Sequence, residues 1–117
     1  MSVTIKSLAK GYLANSENDV YAVPLNKAAI IKSIRLVNTD TNAITVNVYV
    51  RRGTSGTSYR ILPKDLSIAP GACIIDDSEV TLEGLTATVD QDRIRAIAGG
   101  AANKIECVIS GVERDQT

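Results

Sequence analysis

From Ala43 to Arg51 every second residue is apolar: Ile44, Val46, Val48 and Val50 alternate with Thr45, Asn47, Tyr49 and Arg51. Side chains on a β-strand point to opposite faces in turn, so this period buries one face and wets the other, which a helix cannot do. Just ahead, Ala29 to Asn38 places Ile34 and Leu36 on one face and Arg35 on the other. The polar loop Thr39 to Asn42 joins the two segments, and the pair reads as a β-hairpin. Further strands are predicted at Val3 to Leu8, Asp19 to Val23, Tyr59 to Leu62, Cys73 to Asp76, Glu79 to Glu83, Arg93 to Ala98 and Lys104 to Val112. About nine short strands at this spacing predict an all-β fold, an antiparallel β-sandwich of the jelly-roll or immunoglobulin-like kind.

Turn residues fall between these strands. Pro24 opens a turn at PLNK, Gly53 and Gly56 lie in the loop RGTSGTS, and Pro63 follows a strand. Pro70-Gly71 has the form of a type II turn, and Gly99-Gly100 separates the last two strands. One segment has a competing reading. Leu85, Val89, Arg93 and Ile97 recur at helical spacing within Leu82 to Ala98, but Thr86, Thr88 and Val89 are β-branched and Gly84 is a poor helix residue, so strand and loop are favoured. The 117 residues fit one domain, placed at 1–113, with Arg114 to Thr117 as a flexible tail.

The core must be built from Ile, Val, Leu and Ala, because the chain has four Tyr and no Phe or Trp. Thirteen basic and thirteen acidic residues cancel, which removes the general attraction to polyanions and argues against a nucleic-acid partner. No apolar run is long enough for a membrane-spanning helix and the start has no secretory pattern, so synthesis in the cytoplasm and no membrane partner are expected. Cys73 and Cys107 match no metal-ligand spacing. They are read as two buried thiols, with a disulfide as the alternative.

The absence of histidine removes the commonest general base and the commonest zinc ligand. Asp76, Asp77 and Glu79 in IIDDSEV are read as a solvated turn, with calcium binding as the alternative. Asp90 and Asp92 form a second acidic pair, but glycosidase chemistry usually adds an aromatic platform that only Tyr12, Tyr21, Tyr49 and Tyr59 could supply. Arg51, Arg52, Arg60 and Lys64 lie around one loop with no glycine-rich turn before a helix, and read as a strand end or a rim of salt bridges. No enzyme, cofactor or metal site is predicted.

What the sequence does offer is apolar surplus. Ile105, Cys107 and Ile109 line one side of the last strand while Val108 and Val112 sit on the other, and Ile31 and Val37 occupy the second face of Ala29 to Asn38. A two-layer sandwich buries one face of each sheet, so the surplus needs a cover, such as the N-terminal arm or another subunit. The expected interface residues are Ile31, Arg35, Val37, Val108 and Val112, with Arg51, Arg52 and Tyr59 in a second contact.

The stretches AIIKSIRLVNTDTNAITVNVYVRRG, YRILPKDLSIAPGACII and KIECVISGVE resemble small virion structural proteins of tailed bacteriophages, over roughly residues 3 to 113. The shared pattern is an Asn-rich turn at Ile34 to Asn42, alternating Val and Thr at Ile44 to Val50, a P-K-D-L connection at Pro63 to Gly71, and a closing SGVE at Ser110 to Glu113. The chain departs from it at LEGLTATVDQDRIRA, where the group has an L-E-x-G-D turn. The resemblance implies a virion location, as a capsid decoration or cement protein or a neck or tail accessory. It also implies a homo-oligomer, a trimer or higher ring, in contact with major capsid or neck and tail proteins. A receptor- or carbohydrate-binding sandwich is the other reading, carried by the sandwich class and the tyrosines.

Overall fold

A computed structural model describes residues 3–53, 56–84, 91–100 and 102–115. Ten strands follow in order: β1 (Val3–Tyr12), β2 (Asn18–Ala22), β3 (Lys27–Asn38), β4 (Ile44–Arg52), β5 (Ser58–Arg60), β6 (Leu66–Ile68), β7 (Cys73–Asp76), β8 (Val80–Glu83), β9 (Asp92–Ala98) and β10 (Ile105–Asp115). They form two five-stranded antiparallel sheets. The first has the order β1-β10-β3-β7 with β8 also on β3, and the second β2-β9-β4-β5 with β6 also on β4.

Two of these strands are interrupted. β7 pairs with Ile34 to Val37 and β8 with Ala28 to Ile31, so both halves lie along one side of β3. Likewise β5 pairs with Tyr49 to Arg51 and β6 with Ile44 to Val46 on one side of β4. The side chain of Asn47 bridges that second gap, accepting the Asp65 N–H at 2.9 Å and donating to Asp65 Oδ1 at 3.0 Å. With each interrupted pair counted as one strand, eight remain, and the chain changes sheet at every connection except the one from β4 to β5. This is the double-sheet jelly roll.

The hairpin expected from Ala29 to Arg51 does not form, because β3 and β4 lie in different sheets. Both are central strands whose two edges are already occupied, β3 by β10 and β7/β8, β4 by β9 and β5/β6. Asn38 turns the chain out of the first sheet. Fully buried, it donates to the carbonyls of Asn42 at 2.9 Å and Ile68 at 2.8 Å, and accepts the N–H of Asp40 at 2.8 Å. The Pro70-Gly71 turn forms as expected, with Gly71 at φ 73° and an Ala72 N–H to Ala69 carbonyl bond of 3.0 Å.

The core between the sheets is aliphatic, with Leu13, Val23, Ile31, Leu36, Val46, Val48, Ile68, Leu82, Ile94, Ile105 and Ile109 almost fully enclosed. Burial alternates without a break along β10, where every odd residue from Ile105 to Glu113 faces inward. Along β3 it does not. Ser110 pairs with Ser33 but Gly111 pairs with Ile31, so Lys32 is an extra residue in a β-bulge. Ala29 and Ile31 face the core before it, and Ile34, Leu36 and Asn38 after it. Gly111 is needed at this point, since a Cβ there would lie 2.2 Å from the Ile30 carbonyl oxygen.

Three other expectations change. The last strand runs past residue 113: Arg114 and Asp115 continue the ladder opposite Ala28 and Lys27, and Lys27 pairs with Asp115 at 2.7 Å, while 116–117 lie outside the described residues. Leu66–Ile68, read as part of a connection, is a strand. Cys107 is buried, but Cys73 is exposed, and both thiols are free. The segment 80–98 carries β8 and β9 as expected, while 85–90, including Leu85 and Asp90, lies outside the described residues.

Buried polar groups tie the sheets together. Tyr21 on β2 donates its hydroxyl to the buried Glu113 on β10. Asp92 on β9 accepts the Glu83 N–H of β8 at 2.9 Å and a two-point contact from Arg52 at 3.0 and 3.3 Å, which raises the Arg52 pKa through that hydrogen bond.

Two outcomes follow from this packing. Gly111→Ala should destabilise the protein by about 1–3 kcal/mol in denaturant titrations, because the displaced atom is backbone. Burial pushes the Cys107 thiol up to about 11 from an ordinary 9, and burial followed by the Glu113 hydrogen bond raises Tyr21. In both cases the folded state resists ionisation that the unfolded chain undergoes. Stability is therefore fully present below pH 9 and falls as pH rises towards 11, by about 2–3 kcal/mol for Cys107. Unfolding curves of Cys107→Ala should lose the part of the slope that begins near pH 9 and keep the part above pH 10.

Candidate functional site: the outer face of the first sheet

Residues paired across strands share a face, so the register fixes what each sheet shows to the outside. On the first sheet one row reads Lys10, Val108, Arg35, Ile75 and the next Tyr12, Glu106, Val37, Cys73. A row of three serines, Ser7, Ser110 and Ser33, crosses the middle. Beyond it lie Val112, Ile30 and Thr81, and then Arg114, Ala28 and Glu83. Ile75 is 55% exposed and Ile30 37%. Ala28, Ile30, Thr81, Val112 and Arg114 line a depression of about 290 Å³.

The outer face of the second sheet is largely polar, and its charged groups find hydrogen-bond partners within it. Asp19 accepts from Arg93 at 3.0 Å and from Arg95 at 2.7 Å, and Arg95 also donates to Glu17 at 2.9 Å. The Arg60 guanidinium lies 4.9 Å from the centre of the Tyr49 ring. Thr45, Asn47, Ser67 and an isoleucine, Ile97, also lie on the face. Among the described residues, the first sheet turns more aliphatic side chains outward than the second.

The structure divides the eight expected interface residues into three groups. Arg35, Val37, Val108 and Val112 stand together on the outer face of the first sheet. Ile31 does not join them. It is 0% exposed, and the phase shift at Lys32 has turned Ile30 outward in its place. Arg51, Arg52 and Tyr59 belong to the second sheet and form no common surface with the first four. Arg51 lies on its outer face opposite Arg93, Arg52 is engaged with Asp92 and Glu83, and Tyr59 is 66% exposed on the edge strand β5.

Ile30 and Ile75 are the residues that reading the sequence missed. A signal existed, since each sits in an Ile-Ile pair on a strand and one member of such a pair must point outward. Of the acidic groups, Asp76 accepts the Ser78 N–H at 3.1 Å in a local turn, and Glu79 pairs with Lys32.

The two members of the Ile30-Ile31 pair should therefore behave differently. Ile31→Ala should cost about 2–5 kcal/mol of folding stability, as a buried aliphatic deletion does. Ile75→Ala, on the open face, should change the denaturation curve by less than about 0.5 kcal/mol when measured dilute enough to keep the chain monomeric.

No protein-family model and no curated protein matches this chain. Among solved structures it is similar to three from infectious bursal disease virus. A viral particle structure aligns with a TM-score of 0.55 at 8% identity over 96% of this chain and 30% of the viral chain. The VP2 subviral particle gives 0.53 at 10% identity over 96% and 32%, and the Gx strain structure 0.52 at 11% over 96% and 32%. The chain spans about a third of the length of those viral chains. What the likeness establishes is the fold: two antiparallel sheets arranged as in part of these viral chains.

Proposed function

We propose that this chain is a non-enzymatic structural protein of a virion, a capsid decoration or cement protein of the tailed-bacteriophage kind. In this reading it binds neighbouring protein subunits through the outer face of its first sheet. The observation that carries the proposal is the contrast between the two outer faces. One is polar and hydrogen-bonds its charged groups within itself, while the other turns Ile75, Val37 and Val108 outward on one side of the serine row and Ile30 and Val112, walls of the depression, on the other. Outward aliphatic bands of this kind mark protein contacts. The fold shared with the viral particle proteins supports the same class of role, as do the sequence stretches that resemble phage virion proteins.

A neck or tail accessory would differ only in the particle it joins. Purified protein should therefore be mixed separately with heads and with tails that lack it, and sedimented. Co-sedimentation with heads, weakened by Val108→Asp together with Ile75→Asp, is the expected result. Binding to tails alone would replace the decoration role with the accessory one, and binding to neither would overturn the virion role.

A further inference from the structure

We propose that the subunit covering this face is a second copy of the same chain, packed face to face about a two-fold axis that runs along the serine row. The inference rests on the face being an interface, as argued above, and adds the identity of the partner.

The pattern on β10 carries it. The outward residues of that strand are Glu106, Val108, Ser110, Val112 and Arg114, a series centred on Ser110 with a valine two residues away on each side and opposite charges four residues away. A two-fold axis lying between the sheets and crossing the strands at Ser110 places Val108 against Val112 of the second copy and Glu106 against Arg114. Each contact occurs twice by symmetry, as in any isologous interface. Ser33 and Ser7, in register with Ser110, lie on the same axis. Small side chains along that line let the two sheets approach to the roughly 10 Å of ordinary face-to-face packing.

The remaining rows fit the same operation. Ile75 shares a row with Val108 and Arg35, so it falls opposite the row of Val112, Ile30 and Thr81 that lines the depression. The exposed isoleucine of each copy enters the hollow of the other. Arg35 falls opposite Ile30, where its aliphatic stem covers the isoleucine and its guanidinium reaches solvent at the rim. A face shaped for an unrelated partner would have no reason to be complementary to itself about its own midline.

Sedimentation velocity of the full chain over micromolar concentrations should show a dimer. Glu106→Arg sets two arginines against each other and Arg114→Glu two glutamates, and each should weaken association on the order of tenfold or more. The double variant Glu106→Arg with Arg114→Glu restores the opposite charges and should restore the dimer, which a folding defect would not do. In a Cys73→Ser background, Ser110→Cys should link to its counterpart through a short bismaleimide, whereas Ser67→Cys on the outer face of the second sheet should not. A wild-type monomer, a dimer indifferent to both single reversals, or linking at position 67 but not 110 would overturn the two-fold pairing. A monomer that still binds heads would overturn this inference and leave the virion role standing. A charge-sensitive dimer that binds no particle would do the reverse.

Discussion

Lys32 is the extra residue in the ladder between β3 and β10, the two central strands of the first sheet, and it decides which side of that pair is wet. Ahead of the bulge the odd residues of β3 face the core, and after it the even ones do. Because side chains alternate with a period of two, one inserted residue exchanges the two faces for everything beyond it. Without the insertion, a strand that buried Ile34 and Leu36 would also bury Ile30 and expose Ile31. Gly111 makes the insertion possible by leaving room for the Ile30 carbonyl. The outward position of Ile30, and with it one wall of the depression, is thus a consequence of backbone geometry.

The two sheets are joined by apolar packing in the middle and by hydrogen-bonded polar groups towards the periphery. Asn38 fastens the loop after β3 to the end of β6, while Tyr21 with Glu113, and Asp92 with Glu83 and Arg52, cross between the sheets elsewhere. Burying such groups costs free energy unless each is paired, and among the described residues no buried side-chain polar atom lacks a partner. Their value lies in direction. An aliphatic core of Ile, Val and Leu tolerates many arrangements of similar density, whereas a hydrogen bond from Asn38 to one particular carbonyl does not.

The strand pattern of this fold was largely legible in the sequence, because alternation is a local property. Cys73–Asp76 matches its expected limits, and most of the other strands differ by a residue or two. The connections were less legible. Adjacency of two strong strands suggested a hairpin at Thr39 to Asn42, but pairing in a jelly roll is decided by which strands are central, and that depends on residues far along the chain. Leu66–Ile68 escaped notice because three residues are too few to show a period. The candidate site was half legible for the same reason. Val108 and Val112 lie on a strand with unbroken phase and face outward, whereas Ile31 lies before a bulge that only its pairing with β10 reveals. Asn38 was visible as part of an Asn-rich turn, though nothing local indicated that it would be buried.

The contrast between the two outer faces bears on how this molecule meets a partner. On the second sheet Asp19 lies between Arg93 and Arg95, Arg51 and Arg60 donate to the neutral oxygens of Gly53 and Asn47, and the chain as a whole has no net charge. Long-range steering therefore contributes little to encounter, since screening suppresses what small fields remain beyond about 10 Å. In the proposed pairing, recognition comes from contact: aliphatic area removed from water, an exposed Ile75 and a hollow on the same face. Of the charges on the first face, Glu106 and Arg114 stand at opposite ends of β10 and add little affinity by position alone. In the proposed two-fold pairing, their opposite placement about Ser110 selects one alignment of the face over those shifted by a strand or turned end for end, and so supplies the specificity that valines and isoleucines lack.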